Sequence, residues 1–181
     1  MDYFPLVDGA VYIYNNGESK RVVEFVRKEN DVDLFKINNF QGDTAFVMMD
    51  YYLQKNSITY WYGFRSLDYG LVYFNPPIPM VPDVSRKDSV FTLNTKEIRK
   101  DGVDEYSYAL KITFQYLGDT EITVPAGTFR CMHWRFAVKY TNDIPDISLM
   151  DIGGDWYFSR GVGLVLQNSS EFELRLTSFE Q

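Results

Sequence analysis
The chain has 181 residues, with 18 Lys+Arg against 25 Asp+Glu, one histidine and one cysteine. A single His and a single Cys exclude a Cys/His zinc site and an intramolecular disulfide, and a formal net charge of −7 argues against a phosphate-tracking nucleic-acid binder. With 45% hydrophobic and 17% aromatic residues the composition is that of a globular protein, and the length suits one domain over residues 1–181.

Taken in chain order, the dominant period is two. Val11-Tyr12-Ile13-Tyr14 opens it, followed by Asn16-Gly17, a pair that tolerates the positive φ of a tight hairpin turn. Residues 46–55 are the best helix candidate, since Phe46, Met49 and Leu53 have helical spacing, but Tyr51 and Tyr52 suit a strand equally well. Tyr60-Trp61-Tyr62, with Phe64, places large rings on both faces of one strand. Asn75-Pro76-Pro77-Ile78-Pro79-Met80-Val81-Pro82 breaks the rhythm. Prolines cannot donate ladder hydrogen bonds, so 75–83 is predicted to be a stiff connector between two halves of one sheet. Those halves share a short match, Asp8-Gly9-Ala10-Val11-Tyr12-Ile13-Tyr14-Asn15 with Lys87-Asp88-Ser89-Val90-Phe91-Thr92-Leu93-Asn94.

The second half alternates more strongly. Tyr106, Tyr108, Leu110, Ile112, Phe114 and Tyr116 fall on one face of a long strand, as do Met132, Trp134, Phe136, Val138 and Tyr140 on a later one. Asp101-Gly102, Gly118-Asp119, Gly161-Val162-Gly163 and Asn168-Ser169-Ser170 read as reversals, and Val124-Pro125-Ala126-Gly127 as a type I turn. Roughly a dozen short-linked strands imply antiparallel pairing. Without helices to cover it, such a sheet must bury its apolar face against itself. The expected fold is all-β: one antiparallel, strongly curved sheet forming a half-barrel or incomplete barrel, with little or no helix.

Chemistry is sparse. His133 lies two residues after Cys131, so a strand places both on one face, the only arrangement that could pair a nucleophile with a base. A reactive thiol needs a positively polarised setting, and none is visible, so a half-buried thiol beside a polar-face histidine is the simpler reading. Asp143, Asp146, Asp151 and Asp155 cluster in the segment 142–155 at spacings that match no calcium loop, and read as solvated carboxylates. No catalytic residue, metal ligand or cofactor is predicted. The candidate ligand-binding residues are the rings Tyr60, Trp61, Tyr62, Tyr106, Tyr108 and Trp134, which would line a cavity for an apolar ligand.

Three motifs carry a family resemblance. Tyr3-Phe4-Pro5-Leu6 before Gly9, Val124-Pro125-Ala126-Gly127-Thr128-Phe129, and Trp156-Tyr157-Phe158 before Gly161-Val162-Gly163-Leu164-Val165 span nearly the whole chain. Together they resemble a group of uncharacterised bacterial exported proteins and lipoproteins with a "VPAGTF" turn, similar to the lipoprotein-localisation-factor-like superfamily. The resemblance implies a curved antiparallel half-barrel, a cell-envelope location and a lipid or other apolar ligand on the concave side. It supplies no catalytic residue. Two departures stand out: no tryptophan follows Gly9, and no signal or lipidation cysteine is present. Extracytoplasmic location is therefore the expectation for a trimmed N-terminus and a cytoplasmic one if Met1 is native, the first being preferred. Membrane association would follow only from a lipid anchor on a removed signal.

The leading functional expectation is a non-catalytic envelope protein that binds a lipid or apolar small molecule, with no nucleic-acid partner. The alternatives are a protein-interaction module using a sheet edge or surface patch, and a hydrolase using acidic loop residues.

Overall fold
The computed structural model describes residues 3–42, 45–56, 58–67, 70–81, 87–101, 103–141, 152–169 and 172–181. In the first half the strands are β1 (Val11–Tyr14), β2 (Ser19–Glu29), β3 (Val32–Gln41), β4 (Ala45–Lys55), β5 (Ile58–Ser66) and β6 (Gly70–Pro79). The second half holds β7 (Val90–Asp101), β8 (Asp104–Val124), β9 (Gly127–Tyr140), β10 (Ile152–Ser159), β11 (Gly163–Ser169) and β12 (Glu173–Glu180). A 3-10 turn at Asn15–Gly17 is the only helical element among the described residues.

Each strand pairs antiparallel with its sequence neighbours, and β12 returns to pair with β1 from Val11↔Glu180 to Tyr14↔Leu176. The barrel is closed, which corrects the expectation of a half-barrel or incomplete barrel. The reason is physical: an apolar-faced sheet without helices leaves two unpaired edges, and joining first to last removes both. An even strand count makes that last pairing antiparallel. Closure pairs every strand with two neighbours and leaves only local unpaired stretches, such as Pro76–Pro79 on the β7 side of β6.

Several local expectations change for identifiable reasons. The helix candidate 46–55 is strand β4, with Asp50 and Tyr52 buried at alternate positions. Gly118-Asp119 does not reverse the chain. Gly118 has φ +106 and sits at a bulge after Tyr116, where it bends the 21-residue β8. The proline run is not a connector over 75–79 but the end of β6, pairing Trp61↔Ile78 and Tyr60↔Pro79. Its other edge pairs with β7 only from Leu71 to Asn75, so the prolines stand where no ladder donor is required. Residues 82–83 of the predicted connector lie outside the described residues, as do Asp143, Asp146 and Asp151 of the acidic segment.

The short match between halves has a structural counterpart. Gly9 has φ +80 and Asp88 φ +63. Gly9 N–H donates to Val23 O (3.0 Å) and Val23 N–H to Ala10 O (2.9 Å); the aligned Asp88 N–H donates to Tyr116 O (2.7 Å) and Tyr116 N–H to Ser89 O (3.0 Å). Each half thus starts with the same clamp onto its own second strand.

Twelve strands enclose more space than an eight-stranded barrel, whose side chains just fill it, and less than a porin, which holds water. The segment before β1 occupies one end: Phe4 packs on Tyr52 and Phe158, at 5.0 and 5.9 Å between ring centroids, and the Thr59 hydroxyl donates to Phe4 O at 3.4 Å. Outward positions on β7 to β9 carry exposed Lys96, Lys111, Arg135 and Lys139. Charges there do not make the lipid-facing band of a membrane barrel. Among the described residues no helix is long and apolar enough to cross a membrane.

Candidate functional site
Inward alternation from all sides leaves the barrel centre incompletely filled, with a cavity of about 550 Å³. That volume falls inside the roughly 300–1,000 Å³ of small-molecule sites. Two aromatic walls face it. On β5 and β6, Trp61 lies 5.9 Å from Phe64 and 4.7 Å from Phe74; on β9 and β10, Phe136 stacks on Trp156 at 4.8 Å.

A bulge builds the first wall. Strict period two would put Trp61 and Phe64 on opposite faces. The β4–β5 ladder instead slips, pairing Tyr51 with Gly63 and Tyr52 with Trp61, so Tyr62 is the extra residue and both rings turn inward. Gly63 is required at the slip, because a Cβ there would lie 2.2 Å from the Val72 carbonyl oxygen.

Two polar clusters interrupt the apolar lining. In the first, neighbouring strands β2 to β5 bring together Arg21, Asn39, Asp50 and Trp61. Asn39 Nδ2 donates to Asp50 Oδ2 at 2.8 Å and Trp61 Nε1 to Asp50 Oδ1 at 3.1 Å. Burial raises the Asp50 carboxyl above its ordinary pKa, against the opposing pull of Arg21 and these hydrogen bonds. The Arg21 guanidinium sits 5.2 Å from the Tyr14 ring centroid, and its Nε has no protein partner. Tyr14 is itself pushed up to about 12 by burial, and its hydroxyl donates to Leu164 O at 3.1 Å.

The second cluster is Glu97, Arg99 and Tyr140. Arg99 Nε meets Glu97 Oε1 at 2.5 Å, and the Tyr140 hydroxyl donates to Glu97 Oε2 at 2.9 Å. Burial, then the Glu97 charge, pushes the Tyr140 phenol up to about 12.

Of the six rings singled out from sequence, Trp61 lines the cavity. Tyr60 is half-buried outside the lining, and Tyr62 is exposed beside Tyr73 on the outer wall. Tyr106 is 49% exposed at the β7–β8 end. Tyr108 packs edge-on against Tyr140 at 6.4 Å and under Arg99 at 5.1 Å, so it touches the second cluster from outside the lining. Trp134 is buried against Tyr116 in the packed part of the core.

Sequence reasoning passed over the charged lining residues Arg21, Asp50, Glu97 and Arg99. A signal was present: each shares strand parity with a core residue, Arg21 with Val23, Asp50 with Tyr52, Glu97 and Arg99 with Thr95. A charge at core parity marks a polar group pointing inward.

Cys131 and His133 do not form a working pair. The buried thiol is pushed up to about 12 by burial and contacts Phe129 O at 3.6 Å. His133 faces the outer wall, stacked on Tyr157 at 4.3 Å with Nε2 3.0 Å from Asp155 Oδ1. Burial opposes it, yet Arg135 and His133 hold the Asp155 carboxyl below its ordinary value. Among the described residues no group of three His, Cys, Asp or Glu side chains is arranged to hold a metal ion.

No protein-family model and no curated protein matches the chain. Two solved structures are similar to it. A candidate lipoprotein from Parabacteroides distasonis superposes with a TM-score of 0.61 at 14% identity, covering 99% of this chain and 98% of that one. A candidate exported protein with a YmcC-like fold from Bacteroides fragilis gives a TM-score of 0.55 at 11% identity, covering 98% of each. At such identities the likeness is one of architecture: the chain shares, over essentially its whole length, the fold of these two bacterial proteins.

Proposed function
We propose that this protein is a non-catalytic binding protein of the bacterial cell envelope that holds one apolar or amphipathic molecule inside its barrel. The observation that carries the reading is the cavity of about 550 Å³, walled by rings and touched by a few polar groups, the usual make-up of a small-molecule site. The fold shared with a candidate lipoprotein and a candidate exported protein supports the location. The "VPAGTF" turn and the kinship to the lipoprotein-localisation-factor-like superfamily belong to the same proposal, as does a lipid as the class of ligand. That turn joins β8 to β9, with Ala126 N–H bonded to Leu176 O at 3.1 Å.

Titration with Nile red, a neutral apolar dye, together with native mass spectrometry tests the reading. One saturable site is expected, and Val138→Trp, which projects a large ring into the cavity, should abolish it while leaving the β-sheet circular dichroism unchanged. Absence of saturable binding by the wild-type protein, or full binding by a folded Val138→Trp variant, would overturn it.

A further inference from the structure
We infer that the cavity selects an amphipathic anion, whose carboxylate or phosphate head pairs with Arg21 while its apolar body lies against the rings of β5, β6, β9 and β10. This rests on the reading of the barrel as a binding site and adds the ligand's charge and the residue that recognises it.

The charged groups on the cavity wall differ in how they are paired. Glu97 is filled by Arg99 on one oxygen and Tyr140 on the other. Asp50 is filled by Asn39 and Trp61, both neutral donors. Each Asp50 oxygen therefore has a donor other than Arg21, and among the described residues no carboxylate forms an ion pair with that guanidinium. What Arg21 has instead is the Tyr14 side chain, through its ring and its hydroxyl, and an Nε–H with no protein acceptor. A neutral phenol returns less than it costs to take a guanidinium out of water, so the group is stable only partly compensated. Every acid in the wall is satisfied and one base is not.

Position points the same way. Arg21 lines both the large cavity and a small void of about 20 Å³, so its side chain reaches the cavity wall rather than ending in packed core. A planar guanidinium offers two parallel donors to a carboxylate or phosphate, which a neutral ligand cannot match in charge. Nor does the wall hold an open carboxylate for a cation. Trp61 links the two parts of the site, since one ring both holds Asp50 through Nε1 and packs on Phe74 in the apolar wall.

The test uses ligands that share a tail and differ in head: laurate, dodecyl phosphate and 1-dodecanol, measured by calorimetry on the full chain and on Arg21→Met and Arg21→Lys. With wild type, at least one anion should bind roughly tenfold or more tightly than dodecanol, the scale of one charge-assisted pair. Whichever anion binds more tightly names the head group. Arg21→Met should bring the anions down to the alcohol's affinity and leave the alcohol unchanged, and Arg21→Lys should restore part of the preference. Equal binding of alcohol and anions by wild type would overturn the charge assignment and leave the cavity reading standing. So would equal weakening of all three in Arg21→Met. Failure of all three to bind wild type would overturn both readings.

Discussion

The two polar clusters inside the barrel contain similar residues and differ in how completely they are paired. Glu97, Arg99 and Tyr140 close on one another, with both carboxylate oxygens and the guanidinium engaged. In the other cluster neutral donors fill Asp50, and Arg21 is left beside a ring with an unpartnered Nε. Burying a charge is costly unless it is paired and hydrogen-bonded. The closed cluster meets that condition alone and works as part of the wall. The open one does not meet it within the protein. The same chemistry thus closes on itself in one place and, in the function proposed above, is left to pair with a ligand in the other.

Substitutions can break or sharpen this contrast, and the largest effect is expected from Glu97→Ala. It removes the carboxylate that Arg99 and the Tyr140 hydroxyl share in a largely apolar wall. The loss should be about 3 kcal/mol of stability, at the low end for a broken buried pair because Arg99 keeps some access to water. Urea unfolding measures it, and a loss under about 1 kcal/mol would mean the closed cluster is no anchor.

Gly63→Ala comes next, at about 2 kcal/mol, because the added methyl meets backbone rather than a flexible side chain. It attacks the bulge that brings Trp61 to Asp50, so a shift in tryptophan emission should accompany the lowered urea midpoint. Unchanged emission would detach the bulge from the open cluster.

Asp50 gives a pH signature. Its folded carboxyl is raised by burial, so between the unfolded and folded values the native state binds the extra proton. The stability it contributes is full below the unfolded value and is lost as pH rises through the folded one. Asp50→Asn removes this titration at the cost of about one hydrogen bond, or about 1 kcal/mol. The variant should therefore gain on wild type as pH rises from about 4 to about 8. A constant difference across that range would show that Asp50 does not titrate as its burial requires.

Arg21→Met should have the smallest effect on stability, within about 1 kcal/mol, because an apolar side chain of similar length replaces an incompletely paired charge. If it cost as much as Glu97→Ala, the two clusters would be equivalent and the contrast would disappear.

Much of the barrel was legible along the chain. The inward face of β8 runs Leu110, Ile112, Phe114 and Tyr116, all buried, as the alternation required. Turns whose residues demand positive φ or fixed proline geometry also stood out, such as the reversal between β10 and β11 that contains Gly161. Two of the misreadings share one cause. Gly118 and the run from Pro76 to Pro79 are breakers by type, and what a breaker does depends on its ladder partners. Gly118 spends its conformational freedom on a bulge; the prolines occupy a strand edge that asks for no donor.

The candidate site was less legible. Trp61 could be named because a large ring on an alternating strand is conspicuous, but its neighbour Phe64 reaches the cavity only through a slip in register. Arg21 and Asp50 are distant in sequence and come together because β2, β3 and β4 lie side by side. Their charges look like ordinary surface residues until the face of each strand is known.

By itself the sequence determined the strands, their buried faces and the scarcity of nucleophilic or metal-binding chemistry, because these follow from side-chain period and residue inventory. Tertiary structure alone decided that β12 meets β1, that the interior keeps an unfilled volume, and that one arginine in its wall is left without an ion pair. Closure, cavity and pairing are sums over strands far apart in the chain, and no local pattern carries them.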